Sequence, residues 1–295
     1  MTSPFSSVGI IGKPSAPRLP AILASVLAIL EREGHPYYID PTALPTATPS
    51  PRVLAAEDWP ETVNLCLVIG GDGTFLGASR RLARRRCALL GINAGRLGFL
   101  ADVASDQLES QLPPLLHGDF VREPRRLLAV ARQGAGEALP PAAGRCALND
   151  VVIHPRSRAR LLELDLYGPA GFICHYRADG LIIATPTGST AYALAAGGPL
   201  IAPDLPVLLA LPICPQTLAQ RPLVLSDGAP LRVVLGPEAD VQLTLDGQEE
   251  LPLQPRDQIF IGRGAAVDVI HPSDYQFQQR LRAKLNWGLA PEDGQ

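Results

Sequence analysis

Lysine is almost missing from this chain: Lys13 and Lys284 are the only two, so nearly all of its 26 basic residues are arginines. No Gly-x-x-x-x-Gly-Lys-Ser/Thr loop exists, which excludes a P-loop and obliges any nucleotide chemistry to use another cradle. Cysteine is scarce as well. The five (Cys66, Cys87, Cys146, Cys174, Cys214) are odd in number and form no Cys-x-x-Cys pair, which argues against a disulfide framework or a zinc knuckle and for reduced, mostly buried thiols. His35, His117, His154, His175 and His271 show neither helical His-x-x-x-His spacing nor a serine-triad pattern, so metal hydrolase and triad chemistry lack support. Long apolar runs are absent too. Ala21 to Leu30 is the longest, too short for a bilayer that takes ~20 residues. Residues 1–13 lack a basic start, an apolar core and a cleavage site, so the expectation is a cytoplasmic protein, neither exported nor membrane-spanning. The net charge of −3 leaves no basic excess for a nucleic acid backbone, which argues against that partner.

What is present is a core-forming composition, 46% apolar over 295 residues, enough for one large domain or two ordinary ones. The first 120 residues alternate short apolar runs with helical periodicity: Ser7 to Ile11, Leu19 to Leu30, Tyr37 to Asp40, Asn64 to Ile69, Phe75 to Arg86, Ala88 to Ile92. Strand, helix, strand, strand, helix, strand predicts a parallel α/β sheet. The Pro/Thr/Ala-rich stretch Pro41 to Pro60 reads as an exposed, mobile loop. From Arg125 the pattern changes to short strands punctuated by Gly, Pro and Asp, the texture of a mainly β, sandwich-like domain. Tyr275 to Trp287 is helical again, with Phe277, Leu281 and Leu285 on one side, and is expected to return to the first domain. The predicted division is residues 1–124, completed by 271–295, and residues 125–270.

Gly70-Gly71-Asp72-Gly73-Thr74 falls where an apolar strand ends and a periodic segment begins, the carboxyl end at which open α/β sheets bind ligands. Glycines there let backbone approach phosphate, and free amides at the helix start favour anionic oxygens. A carboxylate in such a loop repels phosphate unless it meets a metal ion or takes a proton from an attacking hydroxyl, which makes Asp72 the candidate reactive group. The plain alternative is a turn whose aspartate caps the helix. Thr185-Pro186-Thr187-Gly188-Ser189-Thr190-Ala191-Tyr192 concentrates four hydroxyls where a simple cap needs one, and Tyr192 is either a ring for a flat ligand or a core tyrosine. Asn149-Asp150 reads first as a turn pair, although a carboxylate beside an amide suits a ribose diol. Asp246-Gly247 reads as a hairpin turn with Gln248 beside it. The run Arg80, Arg81, Arg84, Arg85, Arg86 reads as a solvated helix face.

Assembled in order, these blocks closely resemble the bacterial NAD kinases of the Gram-negative type. The matching segments are GGDGTFL from Gly70, GINAGRLGFL from Gly91, LNDV from Leu148 and RADGLIIATPTGSTAY from Arg177, with RPLV from Arg221, DGQ from Asp246 and KLNWG from Lys284. Gly-Gly-Asp-Gly-Thr alone also occurs in diacylglycerol and sphingosine kinases; the later blocks make the distinction. The resemblance implies transfer of the γ-phosphate of ATP to the 2′-hydroxyl of the adenosine ribose of NAD, giving NADP. It implies Asp72 as the catalytic group, with Gly73 against the same ribose. Gly70, Gly71, Gly73 and Thr74 would form the phosphate loop. Asn149 and Asp150 would hold ribose hydroxyls, and Asp179 the nicotinamide carboxamide. Thr187, Thr190, Ala191 and Tyr192 would line the pocket, with Arg160, Arg177 and Gln248 near it. Mg²⁺ is implied as a companion of ATP without a fixed protein metal site, and so is a homodimer or homotetramer. Two positions depart from the family pattern: Ala195 and Gln216 stand where relatives often carry serine and histidine.

Overall fold

The structure, a computed structural model, describes residues 3–44, 50–95, 98–134, 145–156, 161–217, 219–237 and 240–285. The chain divides into two compact units, Met1–Pro124 with Val267–Gln295, and Arg125–Ala266. In chain order the first unit contains β1 (Ser7–Gly12), α1 (Leu19–Arg32), β2 (Tyr37–Ile39), β3 (Val63–Gly70), α2 (Asp72–Leu82), β4 (Ala88–Asn93), β5 (Val103–Ala104) and α3 (Leu108–Leu116). Strand β6 (Phe120–Gln133) leads into the second unit. There follow β7 (Arg145–Ala147), β8 (Asp150–Pro155), β9 (Leu162–Gly168), β10 (Gly171–Ala178), β11 (Gly180–Ala184), α4 (Tyr192–Ala195), β12 (Val207–Ile213), β13 (Leu223–Ser226), β14 (Leu231–Leu235), β15 (Val241–Leu245) and β16 (Glu249–Pro252). Strand β17 (Gln258–Pro272) carries the chain back into the first unit, which α5 (Phe277–Leu285) completes.

In the first unit the strands are parallel and ordered β2-β1-β3-β4, with β5 beside β4 and Val269 of β17 paired to Leu89. Every residue of β1 and β4 is buried, as expected of strands covered on both faces. Helix α1 buries Leu19, Ile22, Leu23, Val26, Ile29 and Leu30, one face at spacings of three and four. The order reverses at β1, so the carboxyl ends of β1 and β3 flank the switch point, and the glycine-rich turn follows β3 there. Helix α3 has no signal in the periodicity, because Pro113 and Pro114 lie inside it; burial of Leu108, Leu112, Leu115 and Leu116 overrides the proline penalty.

Two sequence expectations are corrected in this unit. The segment around Pro41 to Pro60 is not simply exposed: Ala43, Ala56 and Trp59 are buried, and Asp40 accepts N–H bonds from Thr42 and Ala56. The arginine run is a solvated face only in part: Arg84 and Arg86 are exposed, while Arg80, Arg81 and Arg85 are half-buried. Arg81 bonds Asp40 and Glu57, and Arg85 donates to the carbonyls of Glu57, Trp59 and Pro60, so α2 and the turn after it fasten that segment down. At α5, Leu281 is buried with Phe277 and Leu285 half-buried, the expected stripe, while Trp287 lies outside the described residues.

The second unit is a β-sandwich. One sheet runs antiparallel through β10, β9, β14 and the first half of β17. The other runs β13-β12-β11-β8-β15-β16. Period-two alternation builds the core between them: Val151, Ile153, Leu181, Ile183, Leu243 and Leu245 pack with Leu164, Leu166, Val233 and Ile259. The intervening Val152, Ile182, Ala184, Leu209 and Leu211 point the other way and pack with Ala193 and Ile201, so the centre of the second sheet, at β8, β11 and β12, is covered on both faces. The thiols are less uniformly buried than the composition suggests: Cys66 and Cys87 are buried, Cys146 and Cys174 partly so, and Cys214 is exposed.

Candidate active site

In the first unit, helix α2 begins at Asp72, three residues before the expected Phe75, and ends at Leu82 rather than Arg86. Gly71 is its N-cap and no side chain caps it. The capping alternative for Asp72 therefore fails. Its carboxylate instead accepts two backbone N–H bonds from beyond β4, Oδ2 from Phe99 at 2.9 Å and Oδ1 from Leu100 at 3.0 Å. Gly70, Gly71, Gly73 and Thr74 flank Asp72 along the chain, with Thr74 N donating to Gly71 O at 3.0 Å. Two cations of α5 feel its charge. Burial lowers the pKa values of Arg280 and Lys284, while the negative charge of Asp72 works in the opposite direction on both.

In the second unit, the three blocks Leu148-Asn149-Asp150, Thr185 to Tyr192 and Asp246-Gly247 meet in one hydrogen-bonded node. The Asp246 carboxylate accepts N–H bonds from Leu148 (3.1 Å), Asn149 (2.7 Å) and Asp150 (3.3 Å). Thr185 Oγ1 donates to Leu148 O at 2.6 Å and accepts from Gly188 N at 3.1 Å. Thr185 N donates to Asn149 O at 2.9 Å. Gly188 lies so close to Asn149 that a Cβ would overlap the Asn149 carbonyl. Asp246 and Gly247 are the left-handed corner of the β15–β16 hairpin, with φ of 51° and 63°, so the turn reading is right and incomplete. The corner also orients the Asn149 loop. No local sequence signal announces this, because the partners lie about a hundred residues away.

The node opens onto a cavity of about 660 Å³ lined by Asn149, Asp150, Val152, His154, Pro155, Asp179, Ala191, Tyr192, Ile213, Thr244, Asp246 and Gly247. That volume suits a sizeable organic ligand. Tyr192 is 48% exposed and lines the cavity, so it is not a core tyrosine. Asp150 is 4% exposed, and burial together with the neighbouring Asp246 charge pushes its carboxyl from 3.8 up to about 7. His154, Thr244 and Ile213 are cavity residues that sequence reasoning missed. His154 does stand in the strand that follows Asn149-Asp150, at the alternation of the cavity-facing positions Asp150 and Val152, a usable signal.

The remaining expected residues are placed otherwise. Thr187 accepts from Arg125 Nη1 at 3.2 Å, and Thr190 Oγ1 donates to Thr187 O at 3.1 Å, so both hydroxyls are engaged within the chain. Arg177 is exposed and pairs with Glu163 at 2.9 Å, and Gln248 is exposed beside the Asp246 corner. Ala195 is exposed in α4, and Gln216 N donates to Arg177 O at 2.9 Å. Arg160 lies outside the described residues.

A parallel sheet with a glycine-rich switch-point turn, followed by a β-sandwich holding a polar, carboxylate-lined cavity, defines a nucleotide-binding protein of the two-domain α/β plus β class. Comparison with known proteins narrows the class. Residues 25–120 match the ATP-NAD kinase N-terminal domain and residues 148–270 the ATP-NAD kinase C-terminal domain. The chain is 40% identical to the NAD kinase of Ectopseudomonas mendocina, over 96% of this chain and 97% of the relative, and 38% identical to that of Pseudomonas aeruginosa, over 97% of both. Its fold is similar to that of yeast NADH kinase complexed with NADH (TM-score 0.85, 22% identity, 99% of this chain and 90% of the other). It is also similar to that of an Archaeoglobus fulgidus NAD kinase in complex with ATP (TM-score 0.69, 23% identity, 95% and 97%). The chain belongs to the ATP-NAD kinase family.

Proposed function

We propose that this chain is an ATP-dependent NAD kinase. The 2′-oxygen of the adenosine ribose of NAD attacks the γ-phosphorus of ATP, the bond from that phosphorus to the bridging oxygen breaks, and NADP and ADP leave. The observation that carries this reading is the match of both family domains, in order, across residues 25–120 and 148–270. Transfer through a loose transition state needs positioning and charge neutralisation more than covalent help. Asp72 takes the proton of the hydroxyl as the new bond forms. Each of its oxygens accepts one N–H bond, which leaves lone pairs for that task.

Asn149 and Asp150 hold ribose hydroxyls, Asp179 the nicotinamide carboxamide, and Ala191 and Tyr192 flank the bases. Thr187, Thr190, Arg177, Gln248 and Arg160 contribute less directly, and Gly70, Gly71, Gly73 and Thr74 receive phosphate oxygens. Mg²⁺ takes one or two carboxylates plus substrate phosphates rather than a protein cage. Among the described residues no group of three or more His, Cys, Asp or Glu could hold a metal ion. When bound, the cation would neutralise phosphate charge. The reading includes a cytoplasmic homodimer or homotetramer, to be tested by sedimentation; no described helix is long and apolar enough to cross a membrane.

The deciding assay incubates the protein with ATP, NAD and Mg²⁺ and measures NADP through an NADP-specific dehydrogenase. Absence of NADP with several divalent metals and with polyphosphate as alternative donor overturns the proposal.

A further inference from the structure

The way Asp72 is held is not explained by the glycine-rich turn that carries it. Both of its N–H donors come from a strap of chain after β4, with Phe99 on Oδ2 and Leu100 on Oδ1. The strap approaches so closely that a Cβ at Gly98 would overlap Asp72 Oδ1, with the carboxyl carbon and Oδ2 scarcely farther away. Gly98 is thus a requirement of space. Two residues beyond Leu100 the strap is anchored. Asp102, 2% exposed, is paired with His271 Nδ1 and with Arg280 of α5. His271 is itself fully buried, sits 3.0 Å from Glu123 through Nε2, and is stacked on Tyr275 at 3.8 Å between ring centres.

We propose that Gly98–Asp102 is the positioning element for Asp72: Gly98 provides clearance, the two amides fix the carboxylate rotamer, and the Asp102–His271–Arg280 cluster holds the strap against it. The proposal rests on the reading of Asp72 as the group that takes the hydroxyl proton. An aspartate in the first turn of a helix has several staggered side-chain rotamers open to it, and only some point a free lone pair at a bound hydroxyl. One N–H on each oxygen selects a rotamer and leaves a second lone pair on each for the substrate. Orientation fixed before binding lowers the barrier, and a misplacement of ~1 Å can cost about 100-fold in rate. The buried ion pairs at Asp102 tie this orientation to the C-terminal helix, so a perturbation at α5 is transmitted to the reacting carboxylate without touching substrate.

The test uses the full-length protein with Gly98→Ala, Asp102→Asn, Asp72→Asn and the double variant Asp72→Asn/Gly98→Ala. Gly98→Ala is expected to lower kcat by about 100-fold, with KM for NAD and the melting temperature near those of the parent. In the Asp72→Asn background the same change is expected to lower the residual rate by less than twofold, because its effect runs through Asp72 alone. A kcat within twofold of the parent for Gly98→Ala, or an undiminished loss in the double variant, overturns the proposal. If Gly98→Ala melts early, Asp102→Asn decides: kcat reduced about tenfold at unchanged KM supports the anchor, and unchanged kcat overturns it. Near-parental turnover by Asp72→Asn alone would instead refute the role of Asp72, whatever the strap does.

Discussion

Replacing Asp150 by asparagine should strengthen the fold while weakening the site. The carboxyl is 4% exposed, and burial beside Asp246 lifts it from 3.8 to about 7. A raised folded-state value means that the native protein binds this proton more tightly than the unfolded chain does. The stabilisation it provides is full below 3.8 and is lost as pH rises through about 7. Each pH unit between the two values is worth ~1.36 kcal/mol, so the loss amounts to about 4 kcal/mol at alkaline pH. Asparagine keeps the shape and removes the charge, but its amide must find partners at the cavity wall, a cost of about 1–2 kcal/mol. The expected net gain is therefore about 2–3 kcal/mol at pH 8, shrinking to nothing near pH 5. Thermal melts of ligand-free protein at the two pH values measure it, with NAD KM followed in parallel. That KM should rise at least about tenfold, since a diol loses its charged acceptor. A variant destabilised equally at pH 5 and pH 8 would refute the reasoning, because it would mean that the carboxylate is ionised and well partnered in the free protein.

Three further changes probe the same physics elsewhere. Asp246→Ala removes the common acceptor of three backbone N–H groups and should cost about 3 kcal/mol of stability and raise KM for NAD more than it lowers kcat, as steady-state kinetics will show. Gly188→Ala drives a methyl into the Asn149 carbonyl, should destabilise the protein by about 1–3 kcal/mol, and is expected to raise KM for NAD by about tenfold; unchanged NAD binding by calorimetry would contradict that geometry. Arg81→Met leaves Asp40, 1% exposed, buried without its cation and should destabilise the protein by about 3–5 kcal/mol at pH 7. In the parent, the Asp40 carboxyl is held below 3.8 by its bonds from Arg81 and Thr42 despite its burial, so this stabilisation is present above 3.8 and fades as pH falls through the lower folded value. The deficit of the Arg81 variant, measured by urea unfolding, should accordingly narrow in acid.

Strand and helix alternation was legible because β1, β3, β4 and α1 follow their periodicities: buried runs for strands covered on both faces, and three-four spacing for the helix. The sandwich was legible for the same reason, since Val151/Ile153 and Val152/Ile182 divide between two faces by period two alone. What periodicity could not supply was anything held by long-range polar contact. Helix α3 hides behind two prolines, Arg81 and Arg85 look solvated until Asp40 and the Glu57 to Pro60 carbonyls are brought to them, and Asp72 looks like a cap until Phe99 and Leu100 claim its oxygens.

The same limit explains why each chemical block read alone as a turn or a helix cap. Asn149-Asp150 and Asp246-Gly247 are turns and Thr185 to Gly188 opens a short helix; their backbone conformations are satisfied locally, and glycine, asparagine, aspartate and threonine suit them for ordinary reasons. Their function arises because one carboxylate at a hairpin corner accepts the amides of a second block, whose carbonyls in turn receive the hydroxyl and amide of a third. Such a node is cooperative: removing Asp246 frees the Asn149 loop, which loosens the contact with Gly188, so paired substitutions among the three blocks should be non-additive by about 0.5–3 kcal/mol. Order along the chain therefore carries information that no single block holds, since the three blocks must lie at the ends of β7, β11 and β15 for their polar groups to meet at the mouth of one cavity.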